Sequence, residues 1–212
     1  MLLIGMLDSP FVRRAAVSMR LLGMPYEHAN WSVGKDFERI RQYSPLGRVP
    51  ALVLDDGEVL TESACILDYL DDSAGPARAL LPPSGRARRE ALRLMAFAIG
   101  AGEKGRDQIY EEVMRPVDRQ HLPWTERLKV QMHGALSELE RHCESRGDGQ
   151  WLVGDAMSQA DITCTCVYTF LHGARPAEGV ARRYRQLSRL AERCEALEPF
   201  RSTHTPFFTP KT

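Results

Sequence analysis

Three short groups of residues in this sequence could do chemistry. Ser9 follows an apolar run, Leu2-Leu3-Ile4-Gly5-Met6, and precedes Pro10, a residue suited to the first position of a helix. A hydroxyl at that point lies beside unpaired backbone amides and the positive end of a helix dipole, a place to hold an anion such as a thiolate. The same hydroxyl could serve only as a helix cap. Glu62-Ser63 repeats the arrangement after a second apolar run. There a hydroxyl with neighbouring amides suits a carboxylate and Glu62 suits an ammonium, which together match the charged head of an amino acid. The plainer alternative is that Glu62 is a favourable first-turn charge. Arg48-Val49-Pro50 stands before an expected interior strand, where proline is disfavoured because it donates no ladder hydrogen bond. That points to a special turn, a cis bond that leaves the backbone of Val49 free to pair with a ligand.

Other chemistries find less support. None of the six histidines can be placed beside Ser9, and no Gly-X-Ser-X-Gly surround is present, so a serine hydrolase is disfavoured. The five cysteines, Cys65, Cys143, Cys164, Cys166 and Cys194, lack a metal-ligand or redox spacing and read as buried, reduced thiols. No His, Cys and carboxylate cluster has a ligand spacing, so no metal is expected. The 28 basic residues balance 28 acidic ones, which argues against a nucleic-acid partner, since that affinity needs clustered Lys and Arg. Short apolar runs and an amino terminus without a signal-like pattern argue for a soluble, cytoplasmic protein with no membrane partner. With 212 residues, 43% of them hydrophobic, the chain can build one large core or two smaller ones.

The elements that must position these groups follow from periodicity. The first apolar run reads as a strand, and Val12, Ala15, Ala16, Met19 and Leu22 recur at helical spacing up to Gly23. Tyr26 to Trp31 suits a strand, and Phe37, Ile40 and Tyr43 mark a short helix. Asp55-Asp56-Gly57 between Pro50-Ala51-Leu52-Val53-Leu54 and Glu58-Val59-Leu60 signals a hairpin. Thr61 opens a helix with Ala64, Ile66, Leu67 and Leu70 inward. The order β-α-β-α-β-β-α is a thioredoxin-like layout with a small mixed sheet. From Ala74 to Gly85 the composition shifts to Ala, Gly, Pro and Ser, a linker. Beyond it everything reads as helical: a long helix from Leu92 interrupted near Gly100, Gly102 and Gly105, and a stripe of Leu128, Met132, Leu136, Leu139 and Cys143. A mostly apolar helix then follows the capping box Ser158-Gln159-Ala160-Asp161. The predicted organisation is an α/β domain over 1–75 and an all-α helical bundle domain over 84–212. Residues 1–77 carry 7 basic and 11 acidic residues against 21 and 17 in the remainder.

Taken in order, these segments resemble the cytosolic glutathione S-transferase family, in a bacterial form with a serine-type active site, over nearly the whole chain. The resemblance is carried by Asp8-Ser9-Pro10-Phe11-Val12-Arg13-Arg14, by Ser44-Pro45-Leu46-Gly47-Arg48-Val49-Pro50-Ala51-Leu52, by Leu60-Thr61-Glu62-Ser63 with Ile66 to Leu70, and by Gly154 to Asp161. It implies that Ser9 hydrogen-bonds the glutathione sulfur, that Val49 before a cis-Pro50 pairs with the cysteinyl backbone, and that Glu62 with Ser63 clamps the γ-glutamyl group. Arg48 is a candidate for the glycyl carboxylate. Lys35 is a weaker candidate, as are Arg106 and Tyr110 for the second pocket; a mobile surface cation is the default for Lys35 and Arg48 alike, and an ordinary amphipathic-helix residue for Arg106 and Tyr110. The implied activity is a glutathione transferase with glutathione as co-substrate and a small hydrophobic electrophile as second substrate, with peroxidase activity as a variant. The alternative is a non-catalytic protein of the same fold with a binding or regulatory role. A homodimer is the family's usual assembly. No cysteine lies near Ser9 and no tyrosine occupies residues 5 to 8, which leaves Ser9 as the activating group.

Overall fold

A computed structural model of the chain describes residues 1–208. Strand β1 (Leu2–Ile4) leads into helix α1 (Pro10–Leu22), which crosses to β2 (Glu27–Ala29). This crossover makes β1 and β2 parallel, with Leu3 opposite His28. Helix α2 (Phe37–Arg41) is followed by β3 (Ala51–Val53) and β4 (Val59–Thr61), and then by α3 (Ser63–Ala74). The strand order is β2-β1-β3-β4, with β3 antiparallel to both neighbours. The Asp55-Asp56-Gly57 turn closes with Leu54 N–H to Glu58 O at 2.8 Å, and Gly57 takes φ +92°. Gly23 takes φ +68° and ends α1, its amide bonding Arg20 O at 3.1 Å while Met24 N–H reaches Met19 O at 2.9 Å.

Both faces of the small sheet are covered, which is why adjacent residues Leu3 and Ile4 are both fully buried. Ile4, Ala51 and Ile40 form one cluster with Leu2, Ala29, Trp31, Val33, Tyr43, Val49 and Val53 around it. Helices α1 and α3 pack on each other and on the strands. Residues Glu195–Thr205, including the short helix α9 (Glu198–Arg201), belong to the same unit as Met1–Pro83. Their anchor is Arg13: its guanidinium reaches both oxygens of Glu195, at 2.7 and 2.6 Å, and the carbonyl of Phe200 at 2.9 Å. The Pro-rich segment after α3 is held as well, because Asp71 accepts from the amides of Leu80 at 2.8 Å and Leu81 at 3.1 Å.

The second unit comprises Ser84–Cys194 and the described residues from Pro206. Its helices are α4 (Gly85–Met114), α5 (Leu122–Arg146), α6 (Gln159–Ala174), α7 (Val180–Arg183) and the greater part of α8 (Arg185–Glu195). The interruption expected near Gly100, Gly102 and Gly105 is absent: α4 runs unbroken for 30 residues. Gly105 has a packing role instead, since a Cβ there would lie 2.2 Å from Leu171 Cδ2 of α6. Helix α6 is buried almost all round, as its composition requires. Its capping box forms, with Ser158 Oγ accepting from Ala160 N–H at 3.3 Å and Asp161 accepting from Ser158 N–H at 2.9 Å, Ser158 Oγ at 2.8 Å and Leu152 N–H at 2.8 Å. Burial pushes the Asp161 carboxyl up, opposed by those hydrogen bonds. The chain breaks at Tyr184 because Glu140 of α5 caps α8, taking the amides of Gln186 at 2.8 Å and Leu187 at 2.9 Å. Among the described residues no helix is long and apolar enough to cross a membrane.

Candidate functional site

Ser9 is the residue before α1, with φ −70° and ψ 124°, and Pro10 occupies the first helical turn. Its carbonyl accepts from Arg13 N–H at 2.9 Å and its amide donates to Met6 O at 3.2 Å. Its side chain makes no capping bond. The capping alternative is therefore realised at Ser158 and not at Ser9, whose hydroxyl stays available beside the amides of α1. Among the described residues no histidine shares a hydrogen bond with Ser9; His28, the nearest in topology, bonds Gly5 O at 2.7 Å.

The loop before β3 is held against the β1–α1 turn by a glycine. Gly5 takes φ +130°, and a Cβ there would sit 2.6 Å from Val12 Cγ2 and 2.7 Å from Val49 Cβ. Only glycine allows this approach. It brings Val49 beside the turn that carries Ser9. The Val49–Pro50 bond is cis, and among the turn and loop backbone hydrogen bonds of the described residues none involves Val49.

Glu62 and Ser63 meet the same corner from α3. Glu62 has φ 67° and ψ 132°, and it is the single non-glycine residue with positive φ among those described. A backbone held there by its surroundings is characteristic of ligand-contacting positions. Its carboxylate is 42% exposed, does not cap α3, and lies 3.4 Å from the guanidinium of Arg48. Arg48 is thus brought to the clamp. Ser63 is buried and its Oγ accepts from Arg14 Nη2 at 2.8 Å. Lys35 is exposed in the loop before α2. Arg106 and Tyr110 lie in the second unit, where Arg106 is bonded to Asp107 at 2.7 Å and rests over the Tyr110 ring.

Two contributors to this corner, Gly5 and Arg14, carry no role that could be assigned from the sequence. The available signal for Arg14 was a charge on a helix whose neighbours are apolar on nearly every side. What the corner offers is a free hydroxyl at one helix start, an unused backbone segment, and a carboxylate with a hydroxyl at another helix start. Such a set can hold an extended, zwitterionic ligand and stabilise a thiolate at its centre.

Two family descriptions match the chain: the N-terminal domain of glutathione S-transferase over residues 3–78, and the C-terminal domain of glutathione S-transferase over residues 123–194. The chain belongs to the glutathione S-transferase family. Among proteins of this family it is 28% identical, over 97% of its length and 99% of the relative's, to the uncharacterised GST-like protein YibF of Escherichia coli strain K12. It is also 28% identical to glutathione S-transferase GstA of Escherichia coli O157:H7, over 72% of each chain. A solved glutathione S-transferase from Methylobacterium radiotolerans, in complex with glutathione sulfonate, superposes with a TM-score of 0.90 at 26% identity, covering all of this chain and 98% of the other. Another, from Methylobacillus flagellatus with glutathione bound, gives 0.87 at 25% identity, covering 95% and 98%. Two buried cysteines of the helical unit, Cys143 and Cys164, are poor nucleophiles. Burial pushes the Cys143 thiol up to about 12 and Cys164 well above its ordinary value.

Proposed function

We propose that this protein is a glutathione transferase in which Ser9 stabilises the glutathione thiolate for attack on a small hydrophobic electrophile. The observation that carries the reading is the uncommitted Ser9 hydroxyl at the start of α1, on the turn whose Gly5 packs against Val49, and in the same unit as Glu62 and Ser63. A free thiol ionises near about 8.5, so at neutral pH it is mostly protonated; a hydroxyl donor and a helix dipole at the sulfur raise the thiolate fraction. The thiol proton leaves to solvent. The sulfur lone pair then forms the carbon–sulfur bond, and either a leaving group departs with its electron pair or the electrophile takes the charge by addition. In the peroxidase variant the same thiolate attacks the terminal oxygen of an apolar hydroperoxide, the O–O bond breaks and the alkoxide leaves as the alcohol with a proton from solvent, and a second glutathione reduces the resulting sulfenic acid to glutathione disulfide and water. Ser9 is not the nucleophile. Val49 would pair with the cysteinyl backbone, Glu62 with the ammonium and Ser63 with the carboxylate of the γ-glutamyl head, and Arg48, once turned away from its 3.4 Å contact with Glu62, with the glycyl carboxylate.

A homodimer in the cytoplasm fits this reading. The exposed face of α3 carries Asp68 and Asp72, while that of α4 carries Arg86, Arg89 and Arg93, so two copies offer complementary charge. Sedimentation at micromolar concentration should give the dimer, and a monomer alone would reject it.

The test of the function is calorimetric titration with glutathione and with S-hexyl glutathione, followed by turnover of an activated aryl halide. Both ligands should saturate the site, and Glu62→Ala should weaken both. Ser9→Ala should bind glutathione nearly as well but lose roughly 10²-fold in turnover, as expected for one preorganised donor. Unchanged turnover removes Ser9 as the activator. Absence of binding by either ligand rejects the transferase and leaves a non-catalytic member of the family.

A further inference from the structure

We infer that Arg14, which would not itself touch glutathione, is a positioning residue: it fixes the polarity of Ser63 and so selects an anionic group at the start of α3, an inference that rests on the glutathione-binding reading above. Arg14 is 1% exposed and heads the largest fully buried side chains of the protein. It sits on α1, five residues beyond Ser9, and its Nη2 lies 2.8 Å from Ser63 Oγ.

The direction of that bond is set by chemistry. A guanidinium only donates and keeps its proton at any working pH, so Ser63 Oγ must accept. A serine hydroxyl has one proton, and with a lone pair engaged by Arg14 the proton is directed away from the guanidinium. Ser63 therefore keeps its proton for a ligand while one of its two lone pairs is spent on Arg14. Had the buried partner been a carboxylate, Ser63 would donate inward and present lone pairs outward, a polarity suited to an ammonium. The charge-assisted bond also polarises the hydroxyl, which strengthens the outward donation.

Two further features act in the same sense. Helix α3 is 12 residues long, and the Glu62 side chain does not cap its first amides. Glu62 holds its carboxylate outward beside Arg48, with side chains 42% and 43% exposed. The corner thus divides its labour: Glu62 for a cation, and Ser63 backed by Arg14 for an anion. It is built for the zwitterionic α-amino acid head, and Arg14 controls the carboxylate half.

The inference makes an unusual demand of a buried residue on another helix: its removal should change ligand choice rather than affinity in general. The probes are glutathione and the glutathione analogue whose glutamyl α-carboxylate is an amide, titrated by calorimetry alongside thermal unfolding. The wild-type protein should prefer the acid by roughly 10-fold or more, the scale of a hydrogen bond to a charged group. Arg14→Gln should collapse that preference by weakening the acid and sparing the amide. KM for glutathione should rise while kcat holds. Arg14→Lys keeps the buried charge and much of the volume, but its shorter side chain stops short of Ser63; it too should lose preference, to a smaller degree, which covers the case in which Arg14→Gln does not fold. A folded variant that keeps the wild-type preference overturns the inference, as does equal loss of both ligands, which is the mark of a purely structural role. A wild-type protein that binds neither ligand overturns the glutathione reading itself, an outcome distinct from either.

Discussion

At the scale of single residues, the site depends on close approach as much as on chemical groups. Gly5 illustrates this, because its φ of +130° and the 2.6 and 2.7 Å distances to Val12 and Val49 leave no room for a side chain. Gly5→Ala should destabilise the first unit by on the order of 3 kcal/mol, combining backbone strain with overpacking. It should also weaken glutathione binding by displacing Val49, which thermal unfolding and titration would register together. Ser9, Glu62 and Ser63 stand out as candidates from their types and places, since a hydroxyl or carboxylate at a helix start has a small set of uses. Choosing among those uses required coordinates. Ser9 and Ser158 both precede helices in the sequence, yet only Ser158 caps. The positive φ of Glu62 and the burial of Arg14 beneath Ser63 leave no mark in composition or period.

At the scale of elements, periodicity served well where one face of a helix or strand is buried, and failed where local propensity was overruled by packing. The four strands and their order around the Asp-Gly hairpin follow the expected pattern. Helix α4 does not, since three glycines expected to break it are accommodated within a continuous helix. Two of them should behave oppositely on substitution. Gly100 has nothing within 4 Å of a notional Cβ, so Gly100→Ala should stabilise the helical unit by about 0.5–1 kcal/mol through helix propensity alone. At Gly105 the same methyl group meets Leu171 Cδ2 at 2.2 Å, so Gly105→Ala should lose that gain to repacking of α6 and come out destabilised. Chemical denaturation of both variants, with the slope compared to detect altered compactness, would decide it. Equal stabilisation by both would show that Leu171 yields without cost.

At the scale of the whole molecule, two partly buried charged contacts join segments distant in the sequence. Arg13 and Glu195 are 182 positions apart, and their pair, 4% and 24% exposed, returns residues 195–205 to the first unit. Arg13→Ala should destabilise the first unit by about 2–3 kcal/mol, because Glu195 would lose its closest partner and the Phe200 carbonyl its donor. Limited proteolysis should then cut in 195–205 first, and an uncut tail would argue against the anchor. In the second unit Glu178 is buried, sharing a 2.8 Å hydrogen bond with His133 and lying 3.3 Å from Lys129. Burial raises its carboxyl, but the His133 bond and the Lys129 charge together outweigh it and hold it below the usual 4.5. A carboxyl lowered in the folded state contributes fully above its unfolded value and loses that contribution as pH falls through the folded one. Stability measured by denaturant titration should therefore drop as pH falls below 4.5, and Glu178→Gln should flatten that limb. An identical pH profile for the variant would remove Glu178 from the account. The sequence by itself determined most of the elements, the continuity of α4 excepted, the α/β and helical halves, the capping box at Ser158 and Asp161, and the three groups capable of chemistry, because these rest on short-range rules of period, capping and turn formation. Only the tertiary structure decided that Ser9 makes no capping bond, that Gly5 lets Val49 pack on the turn before it, that Arg14 is buried against Ser63, and that Arg13 holds residues 195–205. Each of those is a contact between residues far apart in sequence, whose energy depends on distance and burial that no local pattern encodes.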